Sequence, residues 1–205
     1  MRIKIFIPFF ICSLVFIFIA GCRKNESFYY ADPDAPALDI FSNKGNNVMS
    51  CYVDGAPYES TARNTGGFLS PGNTELVIER QRTNSPLDTL TITWTIEINK
   101  NFSTERYFGL ALPIPKNFVF SDLSLFNGQR LVIDSTNGYF FFGNDPYYSL
   151  FQRGKGVIYF NTAKFDSTNN GYQGLMSGLF EASINSMQIS SGRFDDGITN
   201  TQVRF

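Results

Sequence analysis

The sequence predicts an all-β protein, an antiparallel β-sandwich or a partly closed β-barrel with at most one short helix. Three observations lead there. Apolar residues recur with period two, most clearly over residues 88–98, where Leu90, Ile92, Trp94, Ile96 and Ile98 alternate with Thr89, Thr91, Thr93, Thr95 and Glu97; one face of such a strand is buried and the other is wet. β-branched residues dominate that segment and favour a pleated chain. Turn pairs such as Asp54-Gly55, Pro71-Gly72, Asn127-Gly128, Asn137-Gly138, Asn170-Gly171 and Asp196-Gly197 recur along the chain, each with a glycine able to take positive φ.

In chain order, strands are expected over 48–53, 58–62, 74–81, 88–98, 107–112, 130–134, 139–142, 156–162, 175–184 and 187–194, with 203–205 closing the chain. The one helical candidate is 121–129, with Ser121 as its N-cap. No internal repeat is visible.

The N-terminus carries an address. Arg2 and Lys4 precede an apolar run over residues 5–20, rich in Phe and Ile, which is the plan of a secretory signal. That run is close to the shortest membrane span of ~17 residues, so its far end decides between leader and anchor. Ile19-Ala20-Gly21-Cys22 resembles the bacterial lipobox. The resemblance implies cleavage between Gly21 and Cys22 and lipidation of the Cys22 thiol, with more than one acyl chain needed because each buried methylene contributes only ~0.8 kcal/mol. Arg23, not Asp, follows the cysteine, so an outer-membrane, lipid-anchored location is expected, at the periplasmic face or the cell surface. Arg23-Lys24-Asn25-Glu26-Ser27 resembles the charged surface-export signal of Bacteroidota lipoproteins. Residues 22–47 read as a lipidated flexible tether, polar and interrupted by Pro33 and Pro36, and 48–205 as a single β-domain.

Composition narrows the function. Loss of Arg2 and Lys4 with the leader tips 17 basic against 18 acidic side chains further toward acidic, which argues against nucleic acid as a partner. Cys12 leaves with the leader and Cys22 carries lipid, so Cys51 is expected as a buried, small apolar residue. With no histidine in the chain, the commonest general base and the commonest zinc ligand are both missing. No Gly-x-Ser-x-Gly elbow, calcium loop or phosphate-cradling glycine loop is present. A Ser-Lys pair, or two carboxylates among Glu75, Glu79, Glu97, Glu105, Asp122 and Glu181, would be the remaining catalytic options. The expectation is a non-catalytic protein with no cofactor and no metal.

Aromatic residues offer the binding candidates. Tyr139, Phe140, Phe141, Phe142, Tyr147, Tyr148 and Phe151 crowd one stretch, broken by Gly143-Asn144-Asp145-Pro146. Consecutive aromatics on one strand cannot all face inward. Tyr139, Phe141, Tyr147 and Tyr148 are therefore candidate ligand-binding residues, suited to sugar stacking or protein contact, with a core strand and a loop folded over a sheet edge as the alternative.

The last third of the chain reads Gly156-Val157-Ile158-Tyr159-Phe160, Lys164-Phe165-Asp166, Ser177-Gly178-Leu179-Phe180-Glu181-Ala182 and Ser191-Gly192-Arg193-Phe194-Asp195. This order, with Tyr52-Val53-Asp54-Gly55-Ala56-Pro57-Tyr58 after the tether, resembles a family of uncharacterised Bacteroidota exported lipoproteins bearing SGxFxA and GxFD strand motifs. The resemblance implies the same class and location and brings no activity with it. Asp88-Thr89-Leu90, Asp134-Ser135-Thr136 and Asp166-Ser167-Thr168 look like the O-glycosylation triplet of such proteins. The function expected is that of an anchored β-domain binding a glycan or protein partner. Two alternatives are a calycin-like barrel around a small apolar ligand, which requires an empty interior, and a structural or adhesive subunit, which requires an accessible edge strand.

Overall fold

Strands that the alternation marks join into one curled sheet rather than two stacked ones. The computed structural model describes residues 31–32, 34–61, 76–97, 105–143, 151–168 and 171–205. In chain order the strands are β1 (Ala31–Asp32), β2 (Ala35–Asp39), β3 (Val48–Val53), β4 (Ala56–Thr61), β5 (Leu76–Gln81), β6 (Leu87–Glu97), β7 (Glu105–Pro115), β8 (Arg130–Ile133), β9 (Tyr139–Gly143), β10 (Gln152–Thr168), β11 (Gly171–Ile184), β12 (Met187–Ile198) and β13 (Val203–Arg204). β1 and β2 pair with each other. The remaining strands run β13-β5-β6-β4-β3-β12-β11-β10-β9-β7, and β8 follows β9 along the same edge of β10. All pairings are antiparallel except β13 with β5. β6 also pairs with β7 along its whole length, from Leu87↔Pro115 to Glu97↔Glu105, while it meets β4 only at Glu59↔Glu97. The wall therefore curls back on itself and is fastened there by a single pair: a partly closed, all-β barrel.

Leu90, Ile92, Trp94 and Ile96 of β6 point inward and are essentially inaccessible. Both faces of β6 are covered: Thr91 and Thr93 are buried along with the apolar positions, so the wet face that the alternation predicts is not found there. Aromatic rings occupy the interior: Phe108 stacks on Phe140 and Phe180 with centroids 5.9 and 4.9 Å away, and Phe194 packs against Trp94 at 5.3 Å and Phe160 at 5.8 Å. The 3-10 helix Phe120–Phe126 closes one end, its Phe120 lying 5.2 Å from Phe165, 4.8 Å from Tyr172 and 5.7 Å from Phe205. Much of the chain's complement of 22 Phe thus serves as filling.

Three further expectations need correction. Val119, not Ser121, precedes the helix, and the Asp122 carboxylate accepts from the Val119 N–H at 2.9 Å, satisfying a donor that a serine two positions later would miss. β10 runs past the expected end at Thr162 because its register slips between Phe160 and Thr162. One extra residue there inverts the alternation, so Ala163 and Phe165 replace even-numbered positions on the buried face. The tether, finally, is not free to residue 47. Ala35 and Leu38 are buried, and the segment after β2 is held against β12 by side chains roughly 150 positions away, as described next.

Candidate functional site

Gly21, Cys22, Tyr147 and Tyr148 lie outside the described residues. Of the other aromatic candidates, Tyr139 is half-buried with the Arg153 guanidinium 4.3 Å above its ring. Phe141 has no exposed surface. Its ring lies over Gly109, where a Cβ would strike it, and it stacks on Phe151 at 4.6 Å. Phe141 is on the outer side of the wall, as the crowding of aromatics requires, but it is packed there and presents no face for stacking.

The Ser191-Gly192-Arg193-Phe194-Asp195 motif is a fastening. On β12 the inward Phe194 joins the core, while the outward Asp195 carboxylate accepts from Ser42 Oγ, from the Gly45 N–H at 2.7 Å, and from the Lys44 and Asn46 N–H groups at 3.2 and 3.3 Å. Asn47 Oδ1 accepts from the Gly197 N–H at 2.9 Å. The neighbouring Asp196 turns inward and accepts from Trp94 Nε1 at 2.9 Å. Burial, with the charge of Asp195 adding to it and the Trp94 bond opposing, raises its carboxyl to about 7.

Outside the wall, a different set of residues comes together. Register pairs align Arg130, Tyr159, Leu179 and Arg193 in one row across β8, β10, β11 and β12. The next row holds Val132, Val157 and Glu181. Tyr159 is 37 %, Leu179 43 % and Val132 51 % exposed, three of the larger apolar groups left open to water. Tyr159 and Leu179 border a shallow groove of about 390 Å³ whose floor and walls include Arg130, Val157, Glu181 and Arg193. A β-bulge shapes one side of it. The β11–β12 register slips between Phe180 and Ala182, the β12–β3 register slips between Ser190 and Arg193, and Ser191 takes φ +51°. Non-glycine residues rarely adopt that conformation, and bulges re-aim the side chains beside them. Gly192 makes the close approach possible, since a Cβ there would enter the Phe180 ring. Arg193 is mostly buried, with its Nε donating to the Ser191 carbonyl at 3.3 Å.

The signal for this groove was present in the sequence. Val157-Ile158-Tyr159-Phe160 is apolar on both faces of one strand, which an antiparallel wall with a wet exterior does not require. Fully alternating residues would have placed polar groups at 157, 159 and 179.

Elsewhere the described residues hold little chemistry. Cys51 is buried, and loss of water pushes its thiol up to about 12, the reverse of what a nucleophile needs. Glu79, Asp122 and Glu181 sit on β5, the 3-10 helix and β11. Among the described residues no cluster of three or more metal-ligating side chains occurs, and no helix is long and apolar enough to cross a membrane. Asp88 is occupied by Arg80, whose Nε and Nη2 lie 3.0 and 2.9 Å away, by Lys116 Nζ at 3.0 Å and by the Thr83 N–H at 3.0 Å. That last bond leads the causes that hold its carboxyl down near 2. Among the described residues, Trp94 packs in the interior against Phe108, Phe180 and Phe194. A second shallow space borders Leu112, Pro113 and β8, where β7 continues past its last pair with β9 at Ala111. Pro113 and Pro115 there carry no N–H to offer an added strand. No family model matches the chain, nor does any curated protein or solved structure.

Proposed function

We propose that this chain is a non-catalytic, outer-membrane-anchored lipoprotein whose β-domain binds a glycan, with the groove over Tyr159 as its site. The observation that carries the reading is the row Arg130, Tyr159, Leu179, Arg193 on the outside of the barrel. An exposed aromatic ring takes the apolar face of a sugar, and guanidinium and carboxylate groups beside it bond the hydroxyls. Leader, lipobox and C-terminal motifs support the location and the likeness to Bacteroidota lipoproteins. The absence of histidine and the buried state of Cys51 support a binding role over a catalytic one.

The experiment is a glycan array probed with the full-length lipoprotein in detergent, beside its Tyr159→Ala variant. Retention of a subset of glycans that Tyr159→Ala abolishes supports the reading. No retention on the array, combined with capture of a protein that Leu179→Asp releases, replaces the glycan by a protein partner.

A further inference from the structure

We propose that the groove over Tyr159 selects an acidic sugar, one bearing a carboxylate, with Arg130 as the residue that reads the charge. The inference rests on the glycan reading above and adds the ligand's class to it. Two guanidinium groups, Arg130 and Arg193, border the groove, against one carboxylate, Glu181. They stand three strands apart, roughly 14 Å at the spacing of paired strands, with Tyr159 and Leu179 between them in the same row.

Arg130 is exposed and makes no ion pair with any described residue. Its position differs from that of Arg80, the guanidinium at the barrel's end, which Asp88 already neutralises. A planar guanidinium presents two parallel N–H donors to a carboxylate. Held beside a Tyr ring, it matches a uronic acid, whose ring offers an apolar face for Tyr159 and whose carboxylate projects from the ring's edge. Glu181, one row away on β11, accepts hydroxyl protons and sets the orientation. In a chain with 17 basic and 18 acidic side chains, Arg130 is thus the exposed cation beside Tyr159 and the groove's complement to an anion.

The test titrates the full-length lipoprotein with oligosaccharides of galacturonate, glucuronate and mannuronate, each beside its carboxyl-reduced neutral counterpart, at low and at high salt. At least one acidic chain is expected to bind at least about tenfold tighter than its neutral counterpart, the worth of one charge-assisted bidentate contact. Added salt narrows the difference, and Arg130→Gln removes most of it while circular dichroism stays unchanged. Equal binding of acidic and neutral chains, or a preference untouched by Arg130→Gln, overturns the assignment of charge and leaves a glycan site standing. Failure of every saccharide overturns both.

Discussion

The indole Nε1 of Trp94 donates to the Asp196 carboxyl group at 2.9 Å in the interior of the barrel, joining β6 to β12 across the core. It is a polar contact inside an aromatic interior, and burial raises the carboxyl group that makes it.

Asp196 has its carboxyl raised to about 7 in the folded chain against an ordinary value of 3.8. The folded state therefore holds a proton that the unfolded chain releases, and stability present below about pH 4 is lost as pH rises toward 7. Urea unfolding is expected to show a decline of at most about 1.4 kcal/mol per pH unit in that window. Asp196→Asn keeps the acceptor for Trp94 and removes the titration, so its stability stays flat there relative to the parent.

At the other extreme, Asp88 is held near 2 by the Thr83 N–H, Arg80 and Lys116. Its contribution is present above about pH 4 and disappears as pH falls toward 2. Asp88→Asn is expected to lower Tm at neutral pH and to flatten the acid limb of the melting profile. An acid limb identical to the parent's would remove this cluster as the cause of acid unfolding.

Asp195 fastens the segment that the sequence reads as tether. Asp195→Ala leaves the N–H groups of Lys44, Gly45 and Asn46 without their acceptor and is expected to cost about 2–4 kcal/mol. Tryptic cleavage after Lys44, resisted by the parent, becomes rapid in the variant. If both chains are cut at the same rate, the clasp is not what holds the segment.

The part of the fold that sequence reveals is the part that local alternation controls. β6 was legible because Leu90, Ile92, Trp94 and Ile96 share the core face, although Thr91 and Thr93 on the other face are covered too and not wet as the alternation implies. The clasp was not, because Ser42, Gly45 and Asn46 are turn-forming residues in any context, and only a carboxylate about 150 positions later makes them structure. The end of β10 was lost to a bulge, which inverts the period that identifies a strand. Barrel closure by one pair, Glu59↔Glu97, leaves no local trace. Phe141 and Tyr159 show the limit for sites. Both face outward from a strand, and what separates packed from available is Phe151 and Gly109 over one ring and open water over the other.

That contrast is itself testable. Phe141→Ala is expected to cost about 3–5 kcal/mol, the usual loss for a buried ring, without selecting against ligand in molecules that remain folded. Tyr159→Ala is expected to change stability by no more than about 0.5 kcal/mol while abolishing binding. Unfolding curves and glycan titrations on the same two variants separate the roles.

Hydrogen exchange of the full-length protein, measured with and without a glycan retained on the array, tests most directly whether the outer face of β10, β11 and β12 is the proposed binding surface. The account predicts slowed exchange in peptides covering Val157 to Tyr159, Leu179 to Glu181 and Ser191 to Arg193, with the rest of the barrel unchanged. Slowing confined to peptides around Tyr139, Phe141 and Arg153, with the β10–β12 face unaffected, would contradict it.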